Sequence, residues 1–265
     1  MTEGFHRGYV PTDEGRVSYL HRAGTGPALL LIPGSFSDAS QWDAVVARLP
    51  SSLNLVLVEL RGHGGSWPPP RNGSIEQFAQ DTLAIADAVG LRRFYVGGHS
   101  IGGMVSIEVG RAAPERVKGI LSFEGWTNHH AAKDAFAGDM ASALSAEQTA
   151  ARQAERARVT AKWTEEEVRA FGRIWRQWDG SAFLQSTALP ILEVYGDRGR
   201  PKPSPDALHI PDRPNITLRW VEGACHALPF ERPDAVAEAV TTFIDRIESA
   251  AGPQHGDRVG LSDFP

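Results

Sequence analysis

Apolar positions along this chain follow two rhythms, and their alternation outlines the fold. The run Ala28-Leu29-Leu30-Leu31-Ile32 is apolar throughout, as expected of a strand covered on both faces. Leu55 to Val58 and Phe94 to Val96 repeat that signature, and Val117 to Phe123, Ile191 to Tyr195 and Ile216 to Val221 read as further strands. The opening, from Phe5 to about His21, reads as two strands turning at Thr12-Asp13-Glu14-Gly15. Between the strands the spacing changes to that of helices. One carries Trp42, Val45, Val46 and Leu49, and a second, from Ile75 to Val89, carries Phe78, Leu83 and Ile85 and closes at Gly90. A third runs to about Ala113, where Pro114 stops it, and the last spans about Asp234 to Ile247. Strands alternating with helices predict an α/β fold with a mainly parallel sheet and helices on both faces.

The rhythm breaks between Trp126 and Thr187. That stretch is rich in Ala, Glu and Arg, offers no convincing strand, and opens two helical segments with capping boxes, Ser145 with Gln148 and Thr164 with Glu167. The expected organisation is a core over residues 1–125 and 188–250, a helical cap over 126–187, and a polar Gly/Pro-rich tail over 251–265 without assigned function.

Composition narrows the function classes. The 265 residues are 42% hydrophobic and 22% charged, which is ordinary for a globular protein. A net charge of −5 argues against nucleic acid or an anionic membrane as partner. No apolar run reaches membrane-spanning length, and MTEGFHRGYV lacks the features of a signal peptide, so a cytoplasmic location is expected. The single cysteine, Cys225, has no intrachain partner, and no Cys/His cluster has zinc spacing; no metal and no cofactor are expected.

The chemistry centres on Gly98-His99-Ser100-Ile101-Gly102, a G-x-S-x-G sequence set between a strand and a helix. That context is what a nucleophile elbow requires: glycines on either side allow a tight turn that leaves the serine exposed above a helix N-terminus. Three further segments accompany it: Leu30-Leu31-Ile32-Pro33-Gly34-Ser35, Glu59-Leu60-Arg61-Gly62-His63-Gly64-Gly65-Ser66, and Gly223-Ala224-Cys225-His226 followed by Glu231-Arg232-Pro233. In this order the four resemble the α/β-hydrolase superfamily over nearly the whole chain. Pro33 stands where that superfamily usually has histidine, and Glu59 where it has aspartate. The resemblance implies Ser100 as nucleophile, His226 as general base, and the backbone N–H groups of Ser35 and Ile101 as oxyanion hole. A serine hydroxyl needs such a base, and an imidazole titrates near the working pH.

The acid is the open position. Most of the superfamily resembles G-x-x-D after the strand that follows the cap; here the segment reads Gly196-Asp197-Arg198-Gly199. Certain haloalkane dehalogenases lack the same aspartate and place a carboxylate after the preceding strand, where this chain has Glu124. Glu124 is the expected acid and Asp197 the alternative. A glutamate closing an apolar strand needs a partner, and a protonated His226 would supply one. Ser100 in the nucleophile position disfavours dehalogenation and favours acyl transfer on an ester, lactone, thioester or C–C bond. Phe36, Trp126 and Trp175 are candidate pocket residues. No motif places an arginine or lysine to bind a substrate carboxylate, which points to an apolar or aromatic small molecule. Two rivals remain: a cofactor-independent dioxygenase of the same fold, and a ligand-binding relative with little turnover.

Overall fold

The computed structural model describes residues 4–138 and 143–251, so almost all of the tail lies outside the described residues. Eight strands form one sheet: β1 (His6–Pro11), β2 (Arg16–Arg22), β3 (Ala28–Ile32), β4 (Asn54–Glu59), β5 (Phe94–His99), β6 (Val117–Phe123), β7 (Ile191–Gly196) and β8 (Ile216–Val221). Their spatial order is β1-β2-β4-β3-β5-β6-β7-β8. The pairs β1/β2 and β2/β4 are antiparallel and the rest parallel, which is the expected α/β arrangement.

Side-chain alternation on these strands feeds two cores. Leu29, Leu31, Leu55 and Leu57 face one side, with Val236, Val240 and Phe243 of the terminal helix. Leu30, Ile32, Val56 and Val58 face the other, with Phe78 and Val105. Two-sided burial accounts for the continuous apolar runs. The helices in the first half are α1 (Asp43–Val46), α2 (Ile75–Ala88) and α3 (Ile101–Ala112). Where the spacing predicts one helix around Trp42 to Leu49, the structure has a 3-10 turn, Ala39–Trp42, followed by the single turn of α1. Pro50 disfavours helical geometry just before it, yet Trp42, Val45, Val46 and Leu49 are all buried.

Between β6 and β7 come α4 (Ala131–Phe136), α5 (Ala146–Thr160), α6 (Glu165–Phe171), a 3-10 turn (Ile174–Gln177) and α7 (Ser181–Ser186). Both capping boxes are formed, at Ser145/Gln148 and Thr164/Glu167. An antiparallel bridge joins Asn128 to Asp179, and the Gly180 N–H donates to Thr127 O at 2.9 Å, tying the ends of this segment together. After β8 follow α8 (Leu228–Glu231) and α9 (Pro233–Ala251). Among the described residues no helix is long and apolar enough to cross a membrane.

Register places the chemistry. Ile32 pairs with Gly98, and His99 with Phe123. The loops after β3, β5 and β6 therefore emerge side by side at the carboxyl ends of the strands, where α/β sheets form their clefts.

Candidate active site

Ser100 stands between β5 and α3 at φ 54°, ψ −120°, a strained conformation for a residue with a side chain. Its N–H donates to Phe123 O at 2.9 Å, and its carbonyl accepts from Gly103 N–H at 2.9 Å. The flanking glycines are steric requirements. A Cβ on Gly98 would lie 2.2 Å from the Gly102 carbonyl, and one on Gly102 would lie 2.3 Å from Ile32 O.

The structure brings Ser100, His226 and Glu124 together. His226 Nε2 lies 3.2 Å from Ser100 Oγ, and His226 Nδ1 lies 3.2 Å from Glu124 Oε2. With Nδ1 donating to the carboxylate, Nε2 is left to accept the serine proton. Trp126 stacks on the imidazole, 9° from parallel with centroids 5.8 Å apart. His99 Nε2 donates to His226 O at 2.7 Å, and burial holds the His99 ring well below the ordinary histidine range, hence neutral.

Glu124 itself adopts φ 53°, and its N–H donates to Val194 O at 2.9 Å. Its carboxylate is fully buried and has more partners than the sequence suggests. Oε1 accepts from Gly196 N–H at 2.7 Å and from Arg198 Nη1 at 3.1 Å, and Oε2 from Arg198 Nη2 at 2.8 Å. The Arg198 side chain is only 2% exposed, and its guanidinium lies 3.6 Å over the Phe136 ring. Asp197 stands apart. Its Oδ1 accepts from the N–H groups of Gly199 at 2.9 Å and Gly223 at 2.8 Å, which hold its pKa below the ordinary value. It thus ties the loop after β7 to the loop that carries His226.

The N–H groups of Ser35 and Ile101 have no hydrogen-bond partner among the described residues, and both residues line the same cavity as Ser100. Their loop is braced from beneath. Phe36, at φ 61°, donates its N–H to His63 Nε2 at 3.0 Å, while His63 Nδ1 donates to Arg61 O at 2.9 Å. Burial pushes His63 down to about 4, so it is neutral and able to accept. From above, Glu155 accepts from Asp38 N–H at 3.1 Å, and Arg158 pairs with Asp38 at 2.8 Å.

The cavity measures about 520 Å³. Phe36, Trp126 and Trp175 all lie on its wall, with Met104. Phe171 and Trp178, which share the Trp175 stripe, are buried in the core instead. The wall also carries Arg152, Arg156 and Arg176, which no motif singles out. The one local signal for the first two is their spacing of four on a helix; His63, His99 and Arg198 sit inside recognised segments, but their partners are distant in sequence. His129 and His130 are exposed and Cys225 is half-buried. No group of three or more His, Cys, Asp or Glu side chains is arranged to hold a metal among the described residues.

Comparisons with known proteins bear on the fold and the family. N-formylmaleamate deformylase of Pseudomonas putida is 28% identical over 261 residues, covering 90% of this chain and 96% of that one. The pimeloyl-[acyl-carrier protein] methyl ester esterase of Nitrosomonas europaea is 35% identical over 103 residues, 39% of each chain. Several other curated relatives are likewise spanned over 41% of their length or less. The solved enol-lactonase of Burkholderia xenovorans superposes with a TM-score of 0.69 at 20% identity, covering 90% of this chain and 100% of that one. Residues 27–198 match the alpha/beta hydrolase fold family, and the chain belongs to it.

Proposed function

We propose that this protein is a serine hydrolase acting on a carbonyl-centred bond of a small molecule, an ester, lactone, thioester or activated C–C bond, through a Ser100–His226–Glu124 triad. The observation that carries the reading is the continuous relay at the cavity floor, with both gaps at 3.2 Å and two unengaged N–H groups beside it. His226 Nε2 takes the Ser100 proton as Oγ attacks the carbonyl carbon. The oxygen of the tetrahedral intermediate is received by the Ser35 and Ile101 N–H groups. Collapse expels the leaving group, which takes the proton from His226, and water then releases the acyl group by the same path. Residues 126–187 serve as the cap over a core of 1–125 and 188–250, with Phe36, Trp126 and Trp175 shaping the pocket. The esterase and deformylase relatives support acyl chemistry, since both names describe cleavage at a carbonyl.

The test is direct. Mixing the protein with a p-nitrophenyl ester is expected to give an acyl adduct on Ser100 by intact-mass and peptide mapping, and a fluorophosphonate probe is expected to label the same residue. An unlabelled Ser100 would overturn the reading. Oxygen uptake with a hydroxyquinolone in place of ester cleavage would assign the dioxygenase class.

A further inference from the structure

The cavity wall carries three arginines and no carboxylate among the described residues, in a chain whose net charge is −5. Arg152 and Arg156 lie one turn apart on α5, where like charges repel unless an anion sits between them. Glu155 and Glu231 attract Arg152 through charge alone, since their hydrogen bonds go elsewhere. Glu155 is turned to Asp38 N–H and Ser37 Oγ, and Arg158 to Asp38. Glu231 receives Cys225 N–H at 2.5 Å on one oxygen and Ala143 N–H at 2.9 Å on the other. Neither Arg152 nor Arg156 makes a side-chain hydrogen bond or ion pair among the described residues. Each instead rests near an aromatic ring, Arg152 at 5.6 Å from the Phe230 centroid and Arg156 at 4.2 Å from that of Phe36. Such packing leaves the in-plane N–H edges of a guanidinium free to grip a carboxylate. Arg152 is half-buried, and burial draws its pKa below the ordinary arginine value, a penalty that a bound anion would relieve.

Position adds to composition. A recess of about 230 Å³, lined by Leu144 and Gln153 among others, shares both arginines and Phe36 with the main cavity. The arginines thus stand where the two spaces meet, beside the oxyanion loop. Arg176 reaches the main cavity from the 3-10 turn.

We propose that Arg152 and Arg156 form a carboxylate subsite, so that the preferred substrate is a monoanion bearing a free carboxylate several bonds from the scissile carbonyl, such as the half-ester of a short dicarboxylic acid. The proposal rests on the hydrolase reading above and deepens it. Cleavage of such a half-ester adds water across the acyl–oxygen bond and leaves an alcohol and a dicarboxylate.

The experiment compares mono-p-nitrophenyl glutarate with p-nitrophenyl pentanoate, which has a methyl group in place of the carboxylate. The parent is expected to prefer the anionic ester. Arg156→Gln and Arg152→Gln are each expected to lower the ratio of kcat/KM values, anionic over neutral, by on the order of 10- to 100-fold, mainly through KM. Raising salt from about 50 to about 500 mM should lower the parent's ratio as well. A ratio unmoved by both substitutions would overturn the subsite. Arg156 is exposed, so its variant tests the proposal even if Arg152→Gln fails to fold. Calorimetry of glutarate with Ser100→Ala separates this inference from the reading beneath it. Arginine-dependent glutarate binding without cleavage of either ester would keep the subsite and remove the hydrolase. Ester cleavage indifferent to charge, with no glutarate binding, would do the reverse.

Discussion

The two halves of the site are built by different means. On the sheet side, backbone geometry does the positioning: Ser100 and Glu124 both sit at positive φ, clamped by main-chain hydrogen bonds to the neighbouring strands. On the helical side, between β6 and β7, the walls are presented by side chains. That side is fastened by individual contacts such as Glu155 to Asp38 N–H and Trp163 Nε1 to Gly62 O, the latter at 3.0 Å. A strand rim tolerates little change, because shifting one residue disturbs a ladder of hydrogen bonds. A helical wall can exchange its side chains while its packing persists. Under the proposed function, the first half would carry the chemistry and the second the selectivity.

The severest test of that division is at Ser100 and His226. Ser100→Ala and His226→Ala are each expected to lower kcat by on the order of 10⁴-fold or more, with the double variant little worse than either single. Nearly additive losses, measured by single-turnover kinetics, would mean that the two side chains do not act as a unit. Unfolding temperatures should move little for Ser100→Ala, since its hydroxyl faces the cavity.

Glu124→Gln comes next, with an expected drop in kcat on the order of 10²–10⁴-fold. Arg198 gives this variant a cost in folding as well. Removing the Glu124 charge leaves a buried guanidinium without its counter-ion, a destabilisation on the order of 3 kcal/mol. Asp197→Asn should lower kcat by no more than about threefold, as it alters a tie between loops rather than the relay. Reversed magnitudes for these two variants would transfer the acid role to Asp197.

A third prediction concerns Glu193, which points from β7 into the sheet's packing and is fully buried. Burial pushes its carboxyl up to about 8 from an ordinary 4.5, so the folded chain holds a proton that the unfolded chain releases. Folding stability from this group is complete below about 4.5, falls as pH rises, and is gone above about 8. Protonated, it can donate to the Tyr195 hydroxyl at 3.3 Å, whose own proton goes to Gly125 O at 2.7 Å. Glu193→Gln should therefore flatten the fall in Tm with pH across that window, and an unchanged slope would place the titration elsewhere.

The smallest effect is expected at the helical wall. Trp126→Ala should shift relative kcat/KM between short and bulky esters by about 3- to 10-fold while sparing the smallest substrate most. Because Trp126 also stacks on His226, an equal loss for every substrate would move it to the sheet-side half of the comparison.

Local physics made much of this protein readable in advance. Two-sided burial writes β3 as an unbroken apolar run, and that strand begins and ends where the run does; β6 and β8 also keep their expected spans, although Lys118, Ser122, Thr217 and Arg219 interrupt them. The elbow is readable because part of its constraint acts within five residues: a Cβ on Gly98 would meet Gly102 in any such turn, whereas Gly102 is kept bare by Ile32 O and Pro33 O of the neighbouring strand end. The contact of Glu124 with His226 was legible in part, from the resemblance to dehalogenases with an acid after the same strand and from a charge at the end of an apolar strand that needs a partner. What escaped the sequence are contacts between residues far apart in it. Arg198 pairs with Glu124, 74 positions away, and His63 receives Phe36 N–H from 27 positions away. The arginines on the cavity wall belong to the same class. Helical periodicity states that Arg152 and Arg156 share a face, but the direction of that face depends on how α5 docks against the Ser37-Asp38 loop. That docking is a property of packing and long-range hydrogen bonds, which no local pattern of residues encodes.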